Sequence, residues 1–129
     1  MALKKKRSFV LSELSEDDIY RIMPKLKKRD FSHINDNKKR LFYLKVWLVT
    51  EMQPLKKLPN YHKRCWKGSN CYELDHVLPI SYCYLEKIPP HLVGDISNLR
   101  FIPKKENRDK GFKLTEESHK ILRHFKRKR

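Results

Sequence analysis

The run of residues 71–111 constrains the fold of this chain more than any other part of it. It begins with a short apolar stretch that ends in an acid beside a histidine, Asp75-His76. A long polar excursion follows, and then a second short apolar stretch over residues 99–102. The next segment lies between Pro103, which suits a first helical turn, and Gly111, which suits a helix end. This order predicts a strand, a loop, a second strand and a short helix.

A unit of this size can bring chemically useful side chains together around one point. The run carries an acid, an imidazole and two carboxamides, namely Asp75, His76, Asn98 and Asn107. Acid and amide oxygens are hard ligands for a divalent cation, and a neutral imidazole can take a proton from water. These are the parts of a phosphodiesterase that works with a single metal ion.

The same residues, in this order, resemble the HNH endonucleases, a family with the ββα-metal nuclease fold. The pair Asp75-His76 with Pro79 behind it matches the family's Asp-His pair. Asn98 matches its middle asparagine, and Asn107 matches its final histidine or asparagine. Many members also hold a structural zinc between two Cys-x-x-Cys pairs. Residues 103–106 read Pro-Lys-Lys-Glu at the position of the second pair, so that zinc ribbon is missing here.

The resemblance implies a role for each matched residue. His76 would be the general base, since an imidazole with a pKa of about 6.5 is largely neutral at pH 7. Asp75 and Asn107 would bind the metal, and two weak ligands with one negative charge suit Mg²⁺, with Mn²⁺ as the second candidate. Asn98 would orient His76 and its loop. Neighbouring strand residues point to opposite faces, so Asp75 and His76 would flank a phosphate.

The charge balance indicates the partner. Thirty-one Lys and Arg against 15 Asp and Glu give a net charge of +16, and a polyanion is the commonest partner of so basic a surface. We expect DNA, with an anionic membrane surface as the rival. Several cations surround the predicted site and would grip flanking phosphates: Arg100, Lys105, Arg108 and Lys110.

The predicted function is a metal-dependent endonuclease that hydrolyses DNA phosphodiester bonds and nicks one strand per active site. Its products would carry 5′-phosphate and 3′-hydroxyl ends. The alternative is a basic nucleic-acid-binding protein with an HNH-like fold that does not cleave. A structural or interaction protein would leave the ordered motif unexplained. We expect a monomer rather than a homodimer, because the large like charge opposes self-association without DNA.

Composition also bears on the compartment and on the cysteines. The sequence contains no run of about 20 apolar residues, the length of a membrane span, so we expect an intracellular, cytoplasmic protein with no membrane partner. Cys65, Cys71 and Cys83 make an odd count without Cys-x-x-Cys pairs, which does not indicate a secreted disulfide framework. Their spacing matches no common zinc pattern, so we predict ordinary thiols and no structural zinc.

The chain, residues 1–129, fits one small α+β domain. Around the ββα core we expect a basic arm at 1–14, which includes the run Lys4–Arg7. A helical scaffold and connector would occupy 15–70, and a basic helix 112–129.

Outside the core, three helices are predicted. The first begins after Ser15, a good N-cap, and kinks or restarts at Pro24. The second runs from about residue 37 to 52, although 41–49 is aromatic and β-branched enough for a strand. The third begins after Thr115, another good N-cap.

Two further segments are expected to be less regular. The connector over residues 54–67 is rich in turn signals. The excursion over residues 80–95 would hold one short helical piece or an irregular loop, packed by Tyr82, Leu85 and Leu92.

Overall fold

A computed structural model describes residues 10–65, 67–68 and 70–128 of the 129 in the chain. The predicted basic run Lys4–Arg7 therefore lies outside the described residues. Within them the chain forms six α-helices and a two-stranded antiparallel sheet. In chain order these are α1 (Glu16–Ile22), α2 (Asn37–Glu51), β1 (Tyr72–His76), α3 (Ile80–Leu85), α4 (Pro90–Val93), β2 (Leu99–Pro103), α5 (Lys104–Lys110) and α6 (Glu116–Lys128). The predicted α+β class is confirmed.

The helix ends follow local chemistry. The Ser15 hydroxyl accepts from the Asp18 backbone N–H, and the Asp18 carboxylate accepts from the Ser15 N–H, which makes a capping box for α1. The chain then restarts at Pro24 as a short 3₁₀ helix. At α6, the Thr115 hydroxyl accepts from the Ser118 N–H. The predicted caps and the break at Pro24 are confirmed.

Helix α2 lies at the centre of the molecule. Residues 41–49 are helical, so the alternative of a strand is wrong. The Asp36 carboxylate caps the helix, and the side chains of Leu44, Trp47 and Leu48 are buried in the core. Apolar residues recur on more than one side of α2, because α1, α3 and α4 all pack against it.

Gly94 allows an unusually close approach between α2 and the end of α4. A Cβ atom there would lie 2.7 Å from the Val46 carbonyl oxygen and 2.8 Å from the Val49 Cβ. Only a hydrogen atom fits into that space. Because residue 94 has no side chain, the segment before β2 packs directly against the backbone of α2.

The strand–loop–strand–helix order is confirmed. β1 and β2 pair antiparallel, with Asp75 opposite Arg100 and His76 opposite Leu99. Helix α5 begins directly after β2 and packs on both strands. It ends at Gly111, whose φ of +54° suits a glycine. This arrangement turns the predicted site residues toward one end of the sheet.

Two expectations for the chain around this unit need correction. The segment 80–95 holds two helices instead of one, and Leu85 is 73% exposed instead of packed. Ile80 and Cys83 occupy the core face of the short α3, and a residue two positions beyond Cys83 points away from that face. Leu11 and Leu14, which were expected to belong to the basic arm, pack against the core.

The cysteines depart from the prediction as well. Cys65 and Cys71 form a disulfide, with 5.1 Å between their Cα atoms, so the expectation of ordinary thiols is wrong for this pair. A β-bridge between Arg64 and Tyr72 places the segment that carries Cys65 beside the start of β1. The spacing of the cysteines along the sequence does not reveal this approach. Cys83 is buried and forms no disulfide, which agrees with the predicted ordinary thiol.

Across the described ranges, none of the helices has both the length and the apolar character needed to cross a membrane.

Candidate active site at the end of the sheet

A cavity of about 180 Å³ opens where β1 ends. Its walls include Asp75 and His76 from β1, and Asn107 and Lys110 from α5. The fold therefore brings together the predicted base and both predicted metal ligands. Asn98 is completely buried and supports the same region from within.

Asp75 is a buried carboxylate held by two cations. Its Oδ2 lies 2.9 Å from Nε of Arg100, and its Oδ1 lies 3.0 Å from Nζ of Lys110. Lys110 also donates to the His76 carbonyl oxygen at 3.2 Å. The ammonium group thus ties α5 to the end of β1 and offsets the cost of burying the acid.

His76 is buried against an aromatic side chain. Its ring meets the edge of Trp47 at 4.9 Å between centroids, and only 6% of the residue is exposed. Burial lowers the pKa of His76 to about 3, with a further contribution from the charges of Arg29 and Lys110. The imidazole is therefore neutral at pH 7, the state that a general base requires.

Thr50 determines which nitrogen of His76 carries the hydrogen. The Thr50 hydroxyl donates to the Val46 carbonyl oxygen at 2.7 Å and lies 2.9 Å from Nε2 of His76. A hydroxyl has one proton, so toward His76 it can only accept, and Nε2 must be the N–H. The lone pair is then on Nδ1, which is the nitrogen left to take a proton from water.

Asn98 holds the loop that follows His76. Its Oδ1 accepts from the Leu78 N–H at 2.8 Å, while its Nδ2 donates to the carbonyl oxygens of Val93 at 2.9 Å and Leu78 at 3.2 Å. These bonds join the end of α4 to the turn after β1. The predicted orienting role would thus act through the loop, two residues from the imidazole.

Asn107 is anchored through its amide nitrogen, which donates to Oε1 of Glu73 at 2.9 Å. The amide oxygen is therefore the atom that Asn107 has to offer a cation.

The carboxylate of Asp75 also keeps room for a cation. A carboxylate has about four lone-pair sites, and Lys110 and Arg100 each occupy one of those of Asp75.

The donors of Asp75 and Asn107 are hard oxygens that line one cavity, so they fit Mg²⁺. Among the described residues, no three His, Cys, Asp or Glu side chains come together as a metal site. A cation held by Asp75 and Asn107 alone would keep most of its water.

The predicted phosphate-gripping cations fall into two groups. Arg100 and Lys110 are engaged by the Asp75 carboxylate inside the site. Lys105 and Arg108 lie on the exposed side of α5, where Lys105 pairs with Asp109 at 3.0 Å.

Two residues that support the site were not singled out from the sequence. Thr50 contacts His76 from α2, and the buried Ser118 of α6 donates its hydroxyl to the Val77 carbonyl oxygen at 2.7 Å. A threonine inside a helix and a serine near a helix start are common, and nothing in their local sequence marks them. Only their place in the fold gives them a role.

No known protein family, characterised protein or solved structure matches this chain.

Proposed function

We propose that this protein is a metal-dependent endonuclease of the HNH type that hydrolyses DNA phosphodiester bonds, one strand per active site. The observation that supports it most is that Asp75, His76 and Asn107 line one cavity at the end of a strand–loop–strand–helix unit. The net charge of +16 supports a polyanionic substrate.

In this proposal His76 takes a proton from the attacking water through Nδ1. Thr50 holds the Nε2–H, so the ring presents its lone pair without having to exchange tautomers. Lys110 holds the carboxylate of Asp75 and the backbone of His76 at the same time. When bound by Asp75 and Asn107, Mg²⁺ would stabilise the negative charge of the phosphate and of the departing 3′ oxygen. The products carry 5′-phosphate and 3′-hydroxyl ends.

The lowered pKa of His76 has two opposite effects on this chemistry. It keeps the imidazole neutral before the reaction, and it disfavours the imidazolium that forms when the proton is taken. A bound phosphate adds negative charge beside the ring, which raises the pKa of the imidazole in the complex. The charge of Mg²⁺ at Asp75 acts in the opposite direction, so the substrate strengthens the base against the field of the metal.

The test is cleavage of supercoiled plasmid with Mg²⁺, with Mn²⁺ and with EDTA. One base and one metal position per chain are enough for one phosphodiester at a time, so we expect open circles first and linear DNA later. We also expect a monomeric mass in sedimentation. Linear product at the earliest times together with a dimeric mass would favour a dimer that cuts both strands. No cleavage with any divalent metal would refute the endonuclease.

A second candidate function is a nucleic-acid-binding protein that does not cleave. The observation in its favour is that Asp75 is already paired with two cations while His76 is nearly inaccessible. In the plasmid experiment such a protein would shift DNA without cutting it. A structural or interaction protein, whose charge would serve only for solubility, would neither shift nor cut the DNA.

A further inference from the structure

A second group of cations surrounds a buried acid at the end of α2. The Glu51 side chain is 5% exposed and lies 2.9 Å from Arg64, 3.3 Å from Lys25 and 3.7 Å from Arg29. Burial alone would raise the pKa of Glu51, but the hydrogen bond and charge of Arg64, with those of Lys25, outweigh burial and hold it below its ordinary value. Glu51 therefore stays charged and fixes the cations around it.

This cluster is connected to the candidate active site by shared cavity walls. Asn107 lines the cavity at the end of β1 and also an adjacent one of about 240 Å³, which reaches Arg29 and Arg64. The same two arginines line a third cavity of about 580 Å³ with Lys25 and Lys28. Neighbouring cavities thus share wall residues in a series that extends from His76 to Lys28.

The third cavity carries an excess of positive charge. Four cations line it, against the two acids Asp30 and Glu51. Burial lowers the pKa of Arg29, and the neighbouring charge of Arg64 adds to this effect, partly offset by Glu51. Glu51 carries one negative charge against the three cations that it contacts, so a bound phosphate would offset the remaining positive charge. Guanidinium groups held in fixed positions suit phosphate oxygens, which they can bind in pairs.

We propose that Lys25, Lys28, Arg29 and Arg64, here called the basic row, bind the phosphate backbone of DNA beside the scissile phosphate. The proposal rests on the proposed function, because the path of the DNA strand is defined as starting from the proposed active site. It adds that DNA follows one side of the molecule, past Asn107 and toward the 3₁₀ helix Pro24–Lys28.

The chain offers a matched pair of lysines for the test. Lys27 and Lys28 are adjacent, exposed and in the same 3₁₀ helix. Lys28 lines the third cavity, whereas Nζ of Lys27 lies 5.9 Å from the centroid of the Tyr20 ring and lines none of the three cavities. Lys28→Gln and Lys27→Gln remove the same charge at nearly the same place. Arg29 and Arg64 are left unchanged because they are the less exposed of the three cations that hold Glu51.

Binding to a fluorescent DNA duplex is measured by anisotropy in EDTA at several salt concentrations. We expect Lys28→Gln to weaken binding several-fold and to reduce the log–log salt slope by about 0.9, the effect of one lost phosphate contact. Lys25→Gln with Lys28→Gln should reduce the slope by about twice as much. Lys27→Gln should leave the slope within error of the unmodified protein.

The outcomes separate this proposal from the proposed function. Equal losses in Lys27→Gln and Lys28→Gln, or a protein that does not bind the duplex at all, would overturn the basic row. If the protein nicks plasmid but Lys27→Gln and Lys28→Gln weaken DNA binding equally, only the basic row is refuted. If the two variants differ as expected but the protein never cuts DNA, the endonuclease is refuted and the basic row is supported.

Discussion

The hydroxyl oxygen of Thr50 lies 2.9 Å from Nε2 of His76, which joins the last turn of helix α2 to the imidazole at the end of β1. The hydroxyl proton is already donated to Val46, so the contact assigns the ring hydrogen to Nε2. One turn of the same helix thus determines which nitrogen of the proposed base is available. One residue beyond Thr50, Glu51 pairs with three of the four cations of the basic row, Lys25, Arg29 and Arg64.

Replacing Thr50 tests this positioning. Thr50→Val keeps the shape and removes the acceptor, so we expect plasmid nicking to fall about 10- to 100-fold, the usual effect of losing such a support. Thr50→Ser keeps the hydroxyl and should keep most of the activity. ¹⁵N NMR should show a single Nε2–H tautomer of His76 in the unmodified and Ser proteins, and a mixture in the Val protein. Full activity together with an unchanged spectrum in Thr50→Val would contradict the assignment.

Replacing the base should separate cleavage from binding. His76→Ala should abolish nicking while DNA affinity stays nearly constant, because a neutral imidazole adds little to the field of a protein with a net charge of +16. Asp75→Ala should also abolish nicking, through the metal. Plasmid cleavage and duplex binding are measured on the same preparations, with circular dichroism to verify folding. Normal nicking by His76→Ala would refute the proposed chemistry.

The two asparagines should respond differently to truncation. Asn98→Ala leaves the buried Leu78 N–H without its acceptor, which costs about 1–3 kcal/mol of unfolding free energy. Asn107 is half-buried, so Asn107→Ala should leave stability nearly unchanged and should impair nicking more than Asn98→Ala does under conditions where both are folded. Urea unfolding and plasmid nicking provide the comparison. The reverse order of stability effects would contradict the structural role of Asn98.

The buried imidazole should make stability depend on pH. The folded-state pKa of His76 is about 3, against about 6.5 when unfolded. Above pH 6.5 neither state binds the proton. Below it the unfolded chain takes up a proton that the folded protein refuses, so stability falls by up to about 1.4 kcal/mol per pH unit until the folded pKa is reached. Measured by urea unfolding in EDTA, the free energy of unfolding should fall less between pH 6.5 and 4 in His76→Gln than in the unmodified protein. Equal falls in the two proteins would contradict the lowered pKa of His76.

Gly94→Ala tests the close approach of α4 to α2. The new methyl would meet backbone and Cβ atoms at 2.7 and 2.8 Å, which cannot rotate away. We expect a loss of about 1–3 kcal/mol in urea unfolding, the usual cost of overpacking. Because the Thr50 nitrogen lies 3.0 Å from the same methyl, nicking should fall as well. His91→Ala, at an exposed position of α4, is the control and should change stability little.

Much of the fold could be predicted because its signals are local. Each of these signals acts on atoms within one helical turn. They are a serine hydroxyl three residues before an acid, a proline without an N–H, and a glycine after a short polar helix. The caps at Ser15 and Thr115, the break at Pro24 and the order of β1, β2 and α5 follow from such signals. The pair Asp75-His76 and the amide of Asn107 were likewise chosen from the sequence, and the fold places them at one cavity.

What surrounds those residues was decided by the tertiary structure alone. Thr50 reaches His76 across 26 positions, and Lys110 reaches Asp75 across 35. Such contacts depend on how far each helix is rotated and on what packs behind it, as at Gly94, and no local pattern encodes either. The Cys65–Cys71 disulfide spans only six positions, but it too depends on pairing outside the cysteines, because Arg64 pairs with Tyr72 beside it. The sequence by itself therefore determined which groups could carry the chemistry, whereas their burial, their partners and the nitrogen left to act were determined by packing between distant segments.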